Sequence, residues 1–180
     1  PASFHCPMRK EQVKWEESDV FNPAATVKDG KIVVLYRAED NSAQGIGKRT
    51  SRIGYAESAD GVTMKRLDSP VLFPGGDEFE SIECPGGCED PRGAMTEDGL
   101  YVMLYTAWNR KTPRLAVATS KDLKNWTKHG LAFEKAYDGR FARIATKSAS
   151  ILTKVKGGKL VIDKVDGKYF MYWGEYAVHA

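Results

Sequence analysis

Three related segments follow one another along the chain, and this internal repeat constrains the fold more than any other feature. They cover residues 22–61, 89–126 and 148–173. Tyr36, Tyr105 and Tyr172 take equivalent places in them, 69 and 67 residues apart, a long but workable period for a repeated sheet unit. Each segment alternates polar residues with Val, Ile, Tyr and Phe, a pattern that predicts short β-strands.

A two-residue turn signal separates the first two strands in every segment. These signals are Asp29-Gly30, Asp98-Gly99 and Asp166-Gly167. Both central positions of such a turn tolerate positive φ, so each pair predicts a tight β-hairpin. A loop, a third strand, a short turn and a fourth strand follow, and no helical periodicity of useful length appears.

Repeated four-stranded antiparallel units are typical of the blades of a β-propeller. The sequence therefore predicts an all-β fold to which this chain supplies about two and a half blades. Because an open propeller would leave a sheet edge unpaired, we expect residues 1–180 to be the N-terminal part of one longer domain whose C-terminal blades lie outside this chain. A small stand-alone sandwich is the alternative.

Composition and charge exclude several classes of function. The net charge is +3, with Lys and Arg scattered among Asp and Glu, so we expect no nucleic-acid partner. No apolar run reaches the length of a membrane span, and we expect no membrane partner. The three cysteines are too few and too poorly spaced for a zinc site, even with His5. The prediction is an enzyme without a bound metal or organic cofactor.

Residues 84–92 read Cys-Pro-Gly-Gly-Cys-Glu-Asp-Pro-Arg and predict a stiff, irregular loop that carries two carboxylates. A strand follows directly, and a carboxylate held on a rigid loop beside a sheet is suited to general acid catalysis. The local alternative is a surface turn with an ion pair between Asp90 and Arg92, which would contribute little to stability.

Polar residues at the strand ends of a propeller converge on its central channel. The repeat places eight such residues at related positions: Asn22, Arg37, Asp40, Asp90, Arg92, Trp108, Lys147 and Glu175. Carboxylates from different units, several hydrogen-bond donors and an aromatic ring are what a sugar site requires. Local explanations remain open: Arg37 could pair with Asp40 on a loop, Trp108 could fill the core, and Lys147 could be a solvated lysine.

Several motifs together resemble one known family. They are Asn22-Pro-Ala24, Leu35-Tyr-Arg-Ala-Glu-Asp40, Ser51–Gly61, Gly86-Gly-Cys-Glu-Asp-Pro-Arg92, Tyr105-Thr-Ala-Trp108, Leu115–Ser120 and Gly167–Met171. The chain resembles glycoside hydrolase family 130 over essentially its whole length. This resemblance implies a five-bladed β-propeller that acts on β-mannosides. It also implies that Asp90 is the proton donor and that Asn22, Arg37 and Asp40 hold the sugar whose bond is cleaved.

The family contains both phosphorylases and hydrolases, and the resemblance implies which part of the sequence distinguishes them. Phosphorylases hold phosphate with basic residues just after the strand that corresponds to Gly167–Met171, where this chain has Tyr172-Trp-Gly-Glu175. A carboxylate repels phosphate but can deprotonate water. We therefore expect an inverting, exo-acting β-mannosidase that cleaves mannose-containing oligosaccharides, including β-1,2-linked ones. Asp90 would be its acid and Glu175 its base.

Two other functions stay open. The first is an inverting β-mannoside phosphorylase that uses inorganic phosphate as co-substrate and holds it with Arg110, Arg114, Arg143 or Lys147. The second is a sugar-binding propeller without catalysis. The segment Phe4–Arg9 is similar to the corresponding part of exported carbohydrate enzymes of gut Bacteroidetes, and this resemblance implies a periplasmic or extracellular location.

Overall fold

The computed structural model describes residues 2–174 and 177–179, in which nearly all regular structure is β. The strands are β1 (Phe4–Cys6), β2 (Glu11–Val13), β3 (Asp19–Lys28), β4 (Lys31–Glu39), β5 (Ser51–Ser58), β6 (Lys65–Arg66), β7 (Gly87–Met95), β8 (Tyr101–Trp108), β9 (Pro113–Ser120), β10 (Thr127–Leu131), β11 (Lys147–Ile151), β12 (Thr153–Lys156), β13 (Lys159–Ile162), β14 (Lys164–Val165), β15 (Lys168–Tyr169), β16 (Met171–Gly174) and β17 (Val178–His179). Helical structure within these ranges is limited to α1 (Glu80–Glu83) and a 3₁₀ segment (Ala136–Gly139). None of the described helices is long and apolar enough to span a bilayer.

The first two sequence repeats fold as two four-stranded antiparallel units. The first unit runs β3-β4-β5-β6 and the second β7-β8-β9-β10. A parallel bridge between Ser51 and Gly87 joins them. The all-β prediction and the two complete units are confirmed, while the described strands do not close into a ring.

The third repeat forms a smaller sheet in which β11, β16 and β17 are hydrogen-bonded in that order. Two hairpins, β12–β13 and β14–β15, are inserted between β11 and β16. This insertion explains why the third repeat is interrupted in sequence. Tyr36, Tyr105 and Tyr172 lie in β4, β8 and β16, the equivalent strands that the repeat predicts. The prediction that these tyrosines end their strands is wrong, because β4 and β8 continue for three further residues and β16 for two.

The hairpin turns match the predicted turn chemistry at two of the three places. Both residues of Asp29-Gly30 have positive φ, of 49° and 74°, and those of Asp166-Gly167 have 49° and 75°. At Asp98-Gly99 only the glycine does, with φ of 88°, so the prediction of a two-residue turn is wrong there. The chain makes a longer loop instead, in which the Thr96 and Leu100 backbones and the Thr96 hydroxyl hydrogen-bond across its base.

A β-bulge recurs at the same place in the first strand of all three units. The strand register shifts between Phe21 and Ala24 in β3, between Glu89 and Arg92 in β7, and between Lys147 and Ser150 in β11. Each shift contains one non-glycine residue with positive φ, namely Asn22 (47°), Asp90 (50°) or Ser148 (56°). Such backbone is costly and persists where the surroundings hold it, often at functional sites.

The apolar core lies between the sheets of the first two units. Its buried members are Val33, Leu35, Ile53, Tyr55, Leu72, Cys88, Tyr101, Met103, Tyr105, Ala107, Ala116, Ala118 and Leu123. Burying a large apolar side chain contributes about 1.5–3 kcal/mol, so this core fixes how β4, β5, β8 and β9 pack. The polar ends of β4 and β7 are thereby held against each other.

Gly87 begins β7, where no other residue fits. Its φ is 105°, and a Cβ atom added there would lie 2.0 Å from the Ser51 carbonyl oxygen. The close backbone contact between β5 and β7 therefore requires glycine. This contact fixes where β7 starts, two residues before Glu89 and three before Asp90.

Candidate active site

The Arg37 guanidinium is the centre of a buried polar cluster at the junction of the first two units. Its Nη2 donates to Glu39 Oε1 at 2.6 Å and to Glu89 Oε1 at 2.8 Å. Its Nη1 donates to Asp90 Oδ1 at 3.0 Å, and its Nε donates to Ser51 Oγ at 3.0 Å. One side chain from β4 thus connects β4, β5 and β7. We call these five residues the Arg37 cluster.

Asp90 is the member of the Arg37 cluster most open to solvent, with 13% of its side chain exposed. Its Oδ1 accepts hydrogen bonds from Arg37 and, at 2.8 Å, from Asn22 Nδ2 of the equivalent bulge in the first unit. Within the described residues nothing donates to Oδ2. Asp90 therefore has one oxygen that positions the carboxyl group and one that can face a ligand.

Glu89 is almost completely buried beside Asp90. Burial raises the pKa of Glu89 to about 7, against the opposing effect of the Arg37 guanidinium. The carboxylates of Asp90 and Glu39 raise this pKa further, and Lys147 lowers it. The protonated form of Glu89 therefore persists to higher pH than that of an ordinary exposed glutamate.

Asp40 lies in a separate buried network and not in the Arg37 cluster. Its Oδ2 accepts from Arg52 Nη1 at 2.9 Å, and its Oδ1 accepts from the Ser42 backbone N–H at 3.0 Å. Burial opposes ionisation of Asp40, but Ser42 and the Arg52 guanidinium outweigh it and lower its pKa. The alternative of a loop ion pair between Arg37 and Asp40 is wrong, since each has other partners.

Neither Arg92 nor Trp108 forms a hydrogen bond with Asp90. The Arg92 Nη1 donates to the Pro91 carbonyl oxygen at 2.8 Å, so the predicted alternative of a local pair between Asp90 and Arg92 is also wrong. The exposed Arg92 side chain instead lines a cavity of about 250 Å³ between the three units. The half-buried Trp108 indole donates to the Gly47 carbonyl oxygen at 2.8 Å. It holds the loop before β5, and its role as a sugar platform stays a prediction.

Lys147 is half-buried at the start of β11, close enough to Glu89 to affect its pKa. Its register partner in β16 is Gly174, the residue before Glu175. Glu175 itself lies outside the described residues, so its predicted role as base stays a prediction. The structure thus brings Asn22, Arg37, Asp90 and Lys147 towards one site, whereas Asp40, Arg92 and Trp108 hydrogen-bond to residues outside the Arg37 cluster.

Sequence reasoning did not assign Glu39, Ser51 or Glu89 to the site. A signal for Glu39 was present, because it stands two residues after Arg37 and residues at that spacing share one face of a strand. A buried arginine on an apolar strand also requires a counter-charge. For Glu89 the sequence carried no such signal, because a bulge in β7 turns its side chain towards the first unit.

Comparison with known proteins assigns the chain to a family. A family model for glycoside hydrolase family 130, described as beta-1,4-mannooligosaccharide phosphorylase, matches residues 5–180. The chain belongs to glycoside hydrolase family 130, as its motifs predicted.

Two curated relatives come from Thermoanaerobacter sp. (strain X514). A 1,2-beta-oligomannan phosphorylase is 34% identical over 173 residues, which are 94% of this chain and 50% of that protein. A beta-1,2-mannobiose phosphorylase is 31% identical over 169 residues, or 88% of this chain and 48% of that protein. The chain therefore spans about half the length of the curated relatives it matches.

Two solved structures have a higher sequence identity to this chain than these curated relatives have. A provisionally named glycoside hydrolase from Bacteroides ovatus ATCC 8483 is 76% identical, with a TM-score of 0.93 over 99% of this chain and 50% of that one. A second structure is 63% identical, with a TM-score of 0.95 over 98% of this chain and 49% of that one. It was described with the statement that the GH130 family of mannoside phosphorylases contains glycoside hydrolases that target beta-1,2 mannosidic linkages in Candida mannan.

Proposed function

We propose that the full-length protein is a five-bladed β-propeller enzyme that cleaves β-mannosides from the chain end with inversion. This chain would supply about the first two and a half of its blades. The observation that carries the proposal is the geometry of Asp90: a carboxyl group on a strained bulge, positioned through Oδ1 by two donors from the first unit, with Oδ2 open. Membership of glycoside hydrolase family 130 supplies the substrate class.

Asp90 would protonate the glycosidic oxygen as the bond to the leaving sugar breaks. Proton transfer to that oxygen removes the need to expel an alkoxide, and such general acid catalysis contributes about 10²- to 10⁴-fold to a rate. Asn22 and Arg37 would hold the carboxyl group in one orientation, since both donate to the same oxygen. A pre-oriented acid loses little entropy when the transition state forms.

We favour water as the attacking group. Solved relatives of this chain include proteins described as glycoside hydrolases, among them a glycosyl hydrolase from Bacteroides ovatus at 62% identity. Glu175 would be the base that deprotonates this water. Inversion leaves room for a water between acid and base, so the Asp90 and Glu175 carboxyl groups should lie about 6.5–9.5 Å apart in the productive enzyme.

Phosphate as the attacking group is the second candidate, and one observation favours it beyond the names of the curated relatives. Arg114 Nε is buried without a hydrogen-bond partner among the described residues. The residues on either side of Arg114 hydrogen-bond to Thr146, directly before Lys147. Arg114 and Lys147 thus lie on adjoining segments, and Lys147 is close enough to Glu89 to affect its pKa. Arg110 and Arg143 are exposed.

Product analysis tests the proposal and separates the candidates. We expect the full-length protein to release mannose from β-1,2-mannobiose at the same rate with and without phosphate. The first product should be the α-anomer by ¹H NMR, before mutarotation. A parallel preparation of the Asp90→Asn variant controls for contaminating enzymes.

Three other outcomes of this experiment would each lead to a different conclusion about the function. Mannose 1-phosphate formed only when phosphate is present would replace the hydrolase with the phosphorylase. A β-anomer as first product would contradict inversion. Saturable binding of the disaccharide with no product after long incubation would establish the non-catalytic sugar-binding protein instead.

A further inference from the structure

Glu89 and Asp90 are consecutive in the chain, yet their carboxyl groups bind the same guanidinium. Successive residues of a regular strand point to opposite faces of the sheet. The register shift between Glu89 and Arg92, with the positive φ of Asp90, changes this alternation. As a result Glu89 Oε1 accepts from Arg37 Nη2 and Asp90 Oδ1 accepts from Arg37 Nη1.

Carboxylates are crowded around this guanidinium. The groups that face Glu89 are Arg37 and Glu39 from β4, Ser51 from β5, Asp90 from its own strand and Lys147 from β11. Three carboxylates therefore contact one guanidinium, in a place where all of these side chains are largely buried. Arg49 offsets part of the charge on Glu39, at 3.5 Å. Lys147 offsets part of the charge on Glu89 in the same way. Like charges held this closely still oppose ionisation of one another.

We propose that Glu89 and Asp90 form one coupled carboxyl pair that shares a single proton over Arg37, and that Glu89 is a positioning residue that keeps this proton available to Asp90 at neutral pH. The inference rests on the proposed function, because it assigns a role to Glu89 through the acid Asp90. The elevated pKa of Glu89, to about 7, agrees with such a pair.

The proton balance of one turnover is as follows. The glycosidic C–O bond breaks with its electron pair on the leaving oxygen, which takes the shared proton from Asp90 Oδ2. Both carboxyl groups are then ionised and both remain bound by Arg37. The attacking water forms the new bond to the anomeric carbon and loses its proton to the base and then to solvent. One proton returns from solvent to the pair.

The pH dependence of kcat/KM in the full-length enzyme tests this pair. In the wild type the alkaline limb reports loss of the shared proton from the free enzyme. Glu89→Gln removes one of the carboxylates whose negative charge keeps the shared proton bound beside the Arg37 guanidinium. We expect the alkaline limb to move at least one pH unit lower, so that kcat/KM falls at least tenfold at pH 8 and much less at pH 5. Glu89→Asp should return the limb towards its original position.

A merely structural role for Glu89 would lower activity equally at every pH. Ser51→Ala is the matched control, because it removes a contact to Arg37 without changing charge, and its alkaline limb should stay in place. If Glu89→Gln does not fold, ¹³C NMR titration of glutamate carboxyl groups in the wild type should show one that titrates near pH 7. An unmoved limb, or the absence of such a carboxyl, would overturn the pair. A wild-type enzyme inactive on mannosides would instead overturn the proposed function.

Discussion

Replacing Asp90 with Asn should lower kcat of the full-length protein on β-1,2-mannobiose by about 10²- to 10⁴-fold while the fold stays intact. The amide keeps the size of the carboxyl group but carries no acidic proton for the leaving oxygen. Circular dichroism and the unfolding midpoint would show that the fold persists. Initial rates measured at saturating disaccharide would give the loss in kcat.

Two comparisons make the Asp90 result specific to proton donation. A mannoside with a nitrophenyl leaving group needs little protonation, so Asp90→Asn should lose far less activity on it than on the disaccharide. Asp98→Asn changes an exposed aspartate on the turn of the same unit and should retain near-wild-type rates. Rates within a few-fold of wild type for Asp90→Asn on the disaccharide would remove Asp90 from the role of acid.

Replacing Arg37 with Met should lower the free energy of unfolding by about 3–5 kcal/mol at neutral pH, because it leaves buried carboxylates without their counter-charge. Glu39 is completely buried and Glu89 nearly so. Their desolvation is offset by the guanidinium in the wild type. Denaturant unfolding of the full-length protein would measure the change, and the loss should shrink at low pH as these carboxyl groups take up protons.

Arg92→Met is the matched control for Arg37. Arg92 is exposed, and among the described residues its guanidinium donates to the Pro91 carbonyl oxygen. The same substitution there should change stability by no more than about 0.5 kcal/mol. Equal effects of the two substitutions would show that the Arg37 cluster is not a stabilising centre.

The repeated units could be predicted from the sequence because local patterns determine them. Alternating apolar residues specified β4 and β8. Asp29-Gly30 specified the turn between β3 and β4, and Asp166-Gly167 specified the turn between β14 and β15. The turn at Asp98-Gly99 could not be predicted in detail, since hydrogen bonds from the side chain of Thr96 favour a longer loop. In the third unit the β14–β15 hairpin follows from Asp166-Gly167, whereas the β12–β13 hairpin interrupts the repeat and was not predicted.

The sequence predicted site residues only where the type of residue itself indicated its role. Asp90 and Arg37 stood out as charged residues of strands that line the predicted channel, and the structure brings them together. The partners of Asp40 were not predictable, because Arg52 follows it by twelve residues and reaches it only through the pairing of β4 with β5. The approach of Glu89 to Arg37 depends on a backbone bulge, and no composition or spacing in the sequence specifies a bulge.

A crystal structure of the full-length Asp90→Asn variant with bound β-1,2-mannobiose would test the central claim most directly. We predict that the glycosidic oxygen lies within hydrogen-bonding distance, about 3 Å, of the side chain at position 90. The non-reducing mannose should contact Asn22 and Arg37. A disaccharide bound elsewhere on the protein, with its glycosidic oxygen out of reach of position 90, would contradict the assignment of this site.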